Sequence, residues 1–195
     1  MNRWLNFNNY QLLIVTEPKI FNEQNYISWE NCTLRSWLNN EFYNTAFSDS
    51  DKERIVTAHN ENPDSYGVFK ASNSDRYLWG KGGNATDDKV FLLSITEVSE
   101  YFDGKAYDND LGAENFNQKL ICKPTAYAKA KGVEPYTNDK NYYPSDTMGC
   151  YYWWLRSPGV SEATAAVVDY FGSLACDQVY FTLNSLGVRP AILID

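Results

Sequence analysis

The chain of 195 residues is poor in positive charge and has no long apolar run. It carries 17 Lys and Arg against 25 Asp and Glu, which gives a formal net charge of −8. Binding to nucleic acid or to an anionic membrane needs an excess of basic side chains, so we expect neither partner. No apolar stretch approaches the roughly 18 residues of a membrane span. The first such stretch, 12–15, is also too short for the core of a signal peptide.

Histidine and paired cysteines are scarce as well. His59 is the only histidine, and none of the 4 cysteines forms a CxxC pair, so we expect no zinc or multi-histidine metal site. A chain of this length without a signal peptide does not need disulfides, which predicts free thiols. His59 precedes a polar loop and is interpreted as a surface residue. The cysteines are Cys32, Cys122, Cys150 and Cys176.

Acidic residues form three short clusters, none of which has the spacing of an EF-hand calcium loop. We therefore interpret the clusters as solvated loops. The sequence also gives no reason to place two carboxylates in one cleft, as glycoside hydrolysis would require. The clusters are Asp49, Asp51 and Glu53; Asp87 and Asp88; and Asp108 and Asp110.

Aromatic residues are abundant at 16%, which indicates a thick core, an aromatic binding surface, or both. Four apolar residues recur at helical spacing and predict one buried stripe of a helix, namely Leu34, Trp37, Leu38 and Phe42. Asn31 or Thr33 is predicted to cap this helix. Capping boxes predict two further helix starts. The boxes are Ser50 with Glu53, and Ser94 with Glu97, the second followed by an inward face of Val98, Tyr101 and Phe102.

Strand-like segments occur near the start of the chain, in its middle and in its last third. Apolar runs predict buried strands over 10–15 and 89–93, and a helical turn over 124–130 is predicted to stop at Gly132. The last third predicts strands over 151–156, 163–171, 178–183 and 188–194. We see no linker or repeat, so we predict a single α+β domain over 1–195, whose helices lie in the N-terminal two-thirds and whose first and last strands pair.

Four motifs occur in an order that resembles a known family. They are WENCTLRSWLN at 29–39, KVFLLS at 89–94, WWLRSPG at 153–159 and GVRPA at 187–191. Together they resemble bacterial and phage domains with a C-type-lectin-like fold of the formylglycine-generating-enzyme-like kind. This group includes the variable proteins of diversity-generating retroelements. The resemblance implies small antiparallel sheets and a randomised ligand-binding surface on a fixed scaffold.

The scaffold motifs have a physical interpretation of their own. Trp153, Trp154 and Leu155 are too apolar to remain in water, and burial of each contributes roughly 1.5–3 kcal/mol. The indole N–H groups then need hydrogen-bond partners. Arg156 and Arg189 stand at strand ends beside prolines, where we expect buried or half-buried guanidinium groups that tie loop carbonyls or acidic side chains in place.

The segment 160–186, between the last two motifs, is the candidate variable region. Its large side chains follow no clean alternation, so some aromatic residues are expected to be exposed beside small polar ones, as in a protein-binding surface. In the resembling proteins, randomisation acts on adenines of Asn-type codons, and each candidate is reachable that way, whereas Glu162 and Gln178 are not. The candidate ligand-binding residues are Val160, Ser161, Thr164, Asp169, Tyr170, Phe171, Ser173, Leu174, Asp177, Tyr180, Phe181, Thr182 and Asn184.

The sequence thus predicts a non-catalytic ligand-binding protein of receptor or adhesin type, without cofactor or metal. Its expected partner is a protein, met on a cell surface or a virion as part of a longer chain. One alternative is a carbohydrate-binding module with Tyr170, Phe171 and Tyr180 as stacking platforms. The other is an enzyme related to formylglycine-generating enzymes, which would need Cys150 or Cys176 as reactive thiols.

Overall fold

The structure is a computed structural model. The described residues are 3–6, 28–64, 80–104, 117–130, 132–133, 149–159, 164–175 and 186–195. The strands are β1 (Arg3–Asn6), β2 (Ile55–Val56), β3 (Ala58–Asn60), β4 (Thr86–Asp88), β5 (Trp153–Pro158), β6 (Ala165–Val168), β7 (Leu174–Ala175) and β8 (Ala191–Ile194). The helices are α1 (Thr33–Trp37), α2 (Tyr43–Ala46), α3 (Asp49–Arg54), α4 (Ile95–Phe102) and α5 (Ala126–Ala130).

The first and last described strands pair, although the first of them, β1, lies before the strand that the sequence predicted over 10–15. β1 and β2 flank β8 in one antiparallel sheet, and Ile194 lies opposite both Arg3 and Ile55. The predicted strand over 10–15 lies outside the described residues. A second sheet pairs β3 with β4, and a third has the order β5-β6-β7, both antiparallel. Small antiparallel sheets and short helices thus form a single α+β domain.

The predicted helical stripe is confirmed. α1 continues through a π-helical turn (Leu38–Phe42) into α2, and Leu34 and Leu38 are buried whereas Trp37 and Phe42 pack partly buried against the same core. The cap differs from the prediction, because the Cys32 Sγ accepts from the Arg35 N–H at 3.3 Å.

The two capping-box predictions have different outcomes. The Ser94–Glu97 box caps α4, with Val98 buried and Phe102 partly buried, but Tyr101 is 43% exposed and so does not face inward as predicted. The other box was misplaced by two residues. α3 is capped by Ser48, whose hydroxyl accepts from the Asp51 N–H at 3.2 Å while Asp51 bonds back to the Ser48 N–H.

Two other predicted elements exist in altered form. α5 ends as expected, since Gly132 adopts a φ of 96° and its N–H donates to the Lys129 carbonyl at 3.0 Å. The run over 89–93 is buried, but it makes a single bridge and no strand. Phe91 and Ala191 exchange backbone hydrogen bonds of 3.0 and 2.7 Å.

The third sheet lies in the middle of the core and is covered on both faces. Because successive side chains of a strand point to opposite faces, Trp154 and Val167 join one hydrophobic cluster while Trp153, Leu155 and Val168 join the other. The first cluster includes α1 and the β8 sheet, and the second includes residues of α4 and α5. No helix among the described residues has the length and apolar character needed to cross a membrane.

Candidate functional site

The described part of the candidate variable region is mostly interior. The expectation that these side chains are exposed is wrong for five of them, which lie just before β6, in the turn that joins β6 to β7, or at the start of β7. Side chains so enclosed cannot contact a ligand without a change of conformation. The five are Thr164, Asp169, Phe171, Ser173 and Leu174.

Tyr170 is the described candidate that retains access to solvent. It is half-buried and meets Tyr152 edge-on, with ring centroids 5.3 Å apart and an interplanar angle of 80°. Its ring also contacts Phe171, at 4.2 Å between centroids. Tyr152 is half-buried too, so the two rings form a partly exposed aromatic pair at the end of the third sheet where β5 begins and β6 ends.

The remaining candidates lie outside the described residues. They are Val160, Ser161, Asp177, Tyr180, Phe181, Thr182 and Asn184. They belong to two short segments, 160–163 and 176–185, which we call the two loop segments. Cys176 lies in the second of them.

Backbone hydrogen bonds hold the chain at both ends of the first loop segment. The Gly159 N–H donates to the Thr164 carbonyl at 2.8 Å, and Pro158 lies opposite Ala165 in the β5–β6 ladder. These contacts close the β5–β6 connection independently of the side chains at 160–163.

The second loop segment is followed by Gly187, whose backbone is hydrogen-bonded to the chain at the start of β5. The Gly187 N–H donates to the Tyr152 carbonyl at 2.9 Å, and the Gly187 carbonyl accepts from the Trp154 N–H at 3.0 Å. The segment leaves from β7, which pairs with β6. Both of its ends are therefore attached to the same central sheet.

Arg156 is buried and connects several parts of the scaffold, as the sequence predicted. Its guanidinium forms a two-pronged ion pair with the Glu97 carboxylate, in which Nη2 lies 3.0 Å from Oε1 and Nη1 bonds to Oε2. Nη1 also donates to the Leu92 carbonyl at 2.9 Å. Since Glu97 belongs to the α4 capping box, this one side chain joins β5, α4 and the 89–94 run.

Arg189 is buried in the same frame. Its guanidinium lies over the Trp153 ring, 5.1 Å from the centroid, and burial lowers its pKa. The Trp153 indole N–H donates to the Leu120 carbonyl at 3.1 Å, which is the kind of partner expected for a buried indole. Arg156 and Arg189 therefore act in the scaffold.

A second cluster, centred on Asp88, was not foreseen from the sequence. Asp88 is 1% exposed, so the interpretation of this residue as part of a solvated acidic loop is wrong. Oδ1 accepts from Arg35 Nε at 2.6 Å and from Asn39 Nδ2 at 3.4 Å. Oδ2 accepts from Trp29 Nε1 at 3.0 Å, Asn60 Nδ2 at 2.9 Å and Thr86 Oγ1 at 2.8 Å. We call these six residues the Asp88 cluster.

The Asp88 cluster follows from the pleat of the β3–β4 sheet. Asn60 lies opposite Thr86, and Asp88 lies opposite Ala58, so these four side chains share the buried face. Both strands alternate buried and exposed positions in the structure, but three of the four buried positions hold polar residues, so no apolar alternation in the sequence marked this face. The carboxylate accepts hydrogen bonds from the sheet and from α1, and these bonds hold the two elements together.

The opposite face of the β3–β4 sheet carries His59, which is exposed as predicted. Its Nδ1 lies 2.8 Å from Asp87 Oδ1, and its Nε2 lies 3.5 Å from Glu61 Oε1. The hydrogen bond to Asp87 raises the pKa of His59, and the charge of Asp87 acts in the same direction. The predicted surface role is confirmed.

The described cysteines are free thiols, as predicted. They are Cys32, Cys122 and Cys150. Burial raises the pKa of Cys32 to about 12 and also raises that of Cys122. Cys150, which the enzyme alternative would need, is fully enclosed, whereas reactive thiols are partly exposed and electropositive in their surroundings.

Comparison with known proteins defines the family but not the activity. The model of the family described as "Domain of unknown function (DUF6273)" matches residues 3–195, so the chain belongs to that family. No curated protein matches the chain, and no solved structure matches it either.

Proposed function

We propose that this chain is a non-catalytic ligand-binding protein of receptor or adhesin type, with a variable binding surface on a C-type-lectin-like scaffold diversified by a retroelement. The proposed partner is a protein. The resemblance of the four sequence motifs supports the family of scaffold. Burial supports the assignment of the motif residues to a fixed scaffold, because Trp153, Trp154 and Arg156 are all interior.

The observation that carries the proposal is the attachment of the loop segments. Gly159 and Thr164 are hydrogen-bonded to each other, and Gly187 is hydrogen-bonded to Tyr152 and Trp154, so the frame holds the ends of both segments by backbone contacts. Backbone bonds do not depend on side-chain identity. Such a frame accepts changes within 160–163 and 176–185 without losing its own contacts.

The burial data narrow the proposed binding residues. The five interior candidates are assigned to the scaffold. The proposed surface consists of Tyr170, with Tyr152 beside it, and the candidates in the two loop segments. Large aromatic anchors such as Tyr180 and Phe181 would supply buried area, and Ser161, Thr182 and Asn184 would supply adaptable hydrogen bonds.

Two libraries displayed on yeast test the proposal. One randomises 177, 180, 181, 182 and 184, and the matched control randomises the same number of frame positions, 153–156 and 167. We expect most members of the first library to resist protease and some to bind a chosen protein, while most frame variants are degraded. Equal loss of folding in both libraries would contradict the proposal.

Two further readouts separate the parts of the proposal. A reverse transcriptase gene beside a near-copy of the segment encoding 153–191, differing at adenines, supports diversification, and its absence refutes that part. Selective binding on a glycan array, abolished by Tyr170→Ala, would replace the protein partner by a carbohydrate.

A further inference from the structure

Arg156 has one N–H group that its ion pair does not use. A guanidinium carries five N–H donors. The two on Nη1 bond to the Glu97 carboxylate and, at 2.9 Å, to the Leu92 carbonyl. The two on Nη2 bond to Glu97 Oε1 at 3.0 Å and to the Glu61 carbonyl at 3.5 Å. The fifth donor, the Nε–H group, is buried and has no hydrogen-bond partner among the described residues.

The burial of this donor is nearly complete. Arg156 is only 7% exposed, so bulk solvent does not supply the missing acceptor. A buried N–H group without an acceptor is unfavourable, and nearly all such groups in folded proteins are paired with protein or with ordered water. The Nε–H group therefore calls for an acceptor from outside the described side chains and backbone.

A small cavity lies against Arg156. Its wall includes Trp29 and Leu34, Trp154 from β5 and Ala165 from β6. These four side chains belong to the first hydrophobic cluster, and none is more than 5% exposed. The cavity therefore lies in the interior, beside the donor that needs an acceptor.

The size of the cavity limits what it can hold. The space open to the centre of a water-sized molecule is about 10 Å³. On this scale a single water molecule needs roughly 10–15 Å³. The cavity thus has room for one water and excludes a sugar, a nucleotide or an amino-acid side chain.

The wall also offers acceptors for the hydrogens of a water. Ser28 and Ser157 line the cavity together with Arg156. The Ser157 hydroxyl oxygen accepts from the Ile95 N–H at 3.0 Å, and a hydroxyl oxygen has a second lone pair. A buried water is stable when it has two to four polar partners, and these three residues can supply them.

The charge balance at the cavity favours a neutral occupant. Arg156 is the charged residue of the described wall, and its charge is already matched by the Glu97 carboxylate. A small anion would have to leave water without gaining an unpaired counter-charge, which is unfavourable. Water is neutral and both accepts and donates hydrogen bonds.

We propose that this cavity is a binding site for one water molecule, which accepts a hydrogen bond from Arg156 Nε and donates to oxygen atoms of Ser28 and Ser157. The bound water completes the hydrogen bonds of the guanidinium. It also joins β5 to the turn that begins at Ser28, next to the attachment of the first loop segment. The site stands independently of the proposed function.

A crystal structure of the intact chain, at a resolution that shows ordered water, tests the site. We expect one well-ordered water within about 3.2 Å of Arg156 Nε and within the same distance of an oxygen of Ser28 or Ser157. A cavity without density, a direct bond from Nε to a protein acceptor, or density for a larger molecule overturns the proposal.

Magnetic relaxation dispersion of the water oxygen nucleus gives a second readout in solution, because it counts slowly exchanging waters. Ala165→Val places two methyl groups at the cavity wall and should displace the water. Ala175→Val, at a half-buried position of β7 away from the cavity, is the matched control. We expect the wild type and the control to hold one more slowly exchanging water than Ala165→Val.

Circular dichroism checks that the variants are folded. An equal number of slowly exchanging waters in the wild type and in folded Ala165→Val overturns the proposal. If Ala165→Val does not fold, the crystal structure of the wild type decides the question by itself.

Discussion

The β3–β4 sheet and the β5–β6–β7 sheet differ in what their buried faces hold. The first, which we call the polar sheet, buries Asn60, Thr86 and Asp88, whereas the second, which we call the apolar sheet, buries mainly apolar side chains on both faces, with Arg156 of β5 as a buried charge. The polar face depends on hydrogen bonds that must all be made, and the apolar sheet depends on filled volume. The two sheets therefore hold the same domain together by different physical means.

The largest effect is expected at the polar sheet. Asp88→Ala removes the acceptor of five donors and leaves the Arg35 guanidinium without its carboxylate, which should cost about 3–5 kcal/mol of unfolding free energy. Urea unfolding measures it. The neighbouring exposed Asp87→Ala is the control, expected to change stability by about 0.5 kcal/mol or less. Equal effects of the two variants would contradict the role of the buried Asp88 carboxylate in this sheet.

At the apolar sheet, Leu174→Ala tests volume filling and the correction of a candidate binding residue together. Leu174 is enclosed in the second hydrophobic cluster, so truncation should cost about 2–4 kcal/mol through lost burial and a cavity. The half-buried Leu193→Ala on β8 should cost less. Unaltered stability in Leu174→Ala, measured by urea unfolding, would contradict the burial of Leu174.

A smaller change in unfolding free energy is expected when one hydrogen bond of the polar sheet is removed at constant side-chain volume. Thr86→Val keeps the shape but removes the donor to Asp88 Oδ2, and we expect a loss of about 1–2 kcal/mol. The exposed Thr57→Val serves as control in the same thermal unfolding series. If Thr86→Val is as stable as the wild type, the buried hydroxyl makes no net contribution to the Asp88 cluster.

The smallest effect is expected on the exposed face of the polar sheet. Because Asp87 raises the pKa of His59, the folded state binds the His59 proton more tightly than the unfolded state. The resulting stability is present below the ordinary value of 6.5 and is lost as pH rises through the raised pKa. An NMR titration should give a midpoint above 6.5, and Asp87→Asn should return it toward that value; a midpoint at or below 6.5 contradicts the pairing.

Three predictions from local patterns are confirmed, although the predicted caps of α1 and α3 were wrong. The Ser94–Glu97 box, the stripe of Leu34 and Leu38, and the stop at Gly132 each depend on residues within a few positions of one another. The buried role of Arg156 was also foreseen, since a guanidinium beside so many apolar residues needs fixed acceptors.

The burial of Phe171, Ser173 and Leu174 could not be predicted in the same way. Alternation along β6 and β7 indicates two faces, but it does not say whether both are covered. The cover comes from residues distant in sequence, including Val98 on α4 and Leu120. The irregular pattern was interpreted as exposure, whereas its cause is burial on both faces.

By itself the sequence determined the cap of α4, the end of α5 and the buried stripe of α1, because short-range hydrogen bonds and apolar periodicity decide these features. Tertiary structure alone decided that Asp88 is interior and that the third sheet is covered on both faces. The physical reason is that solvent exclusion depends on which distant surfaces meet, and no local pattern encodes that meeting.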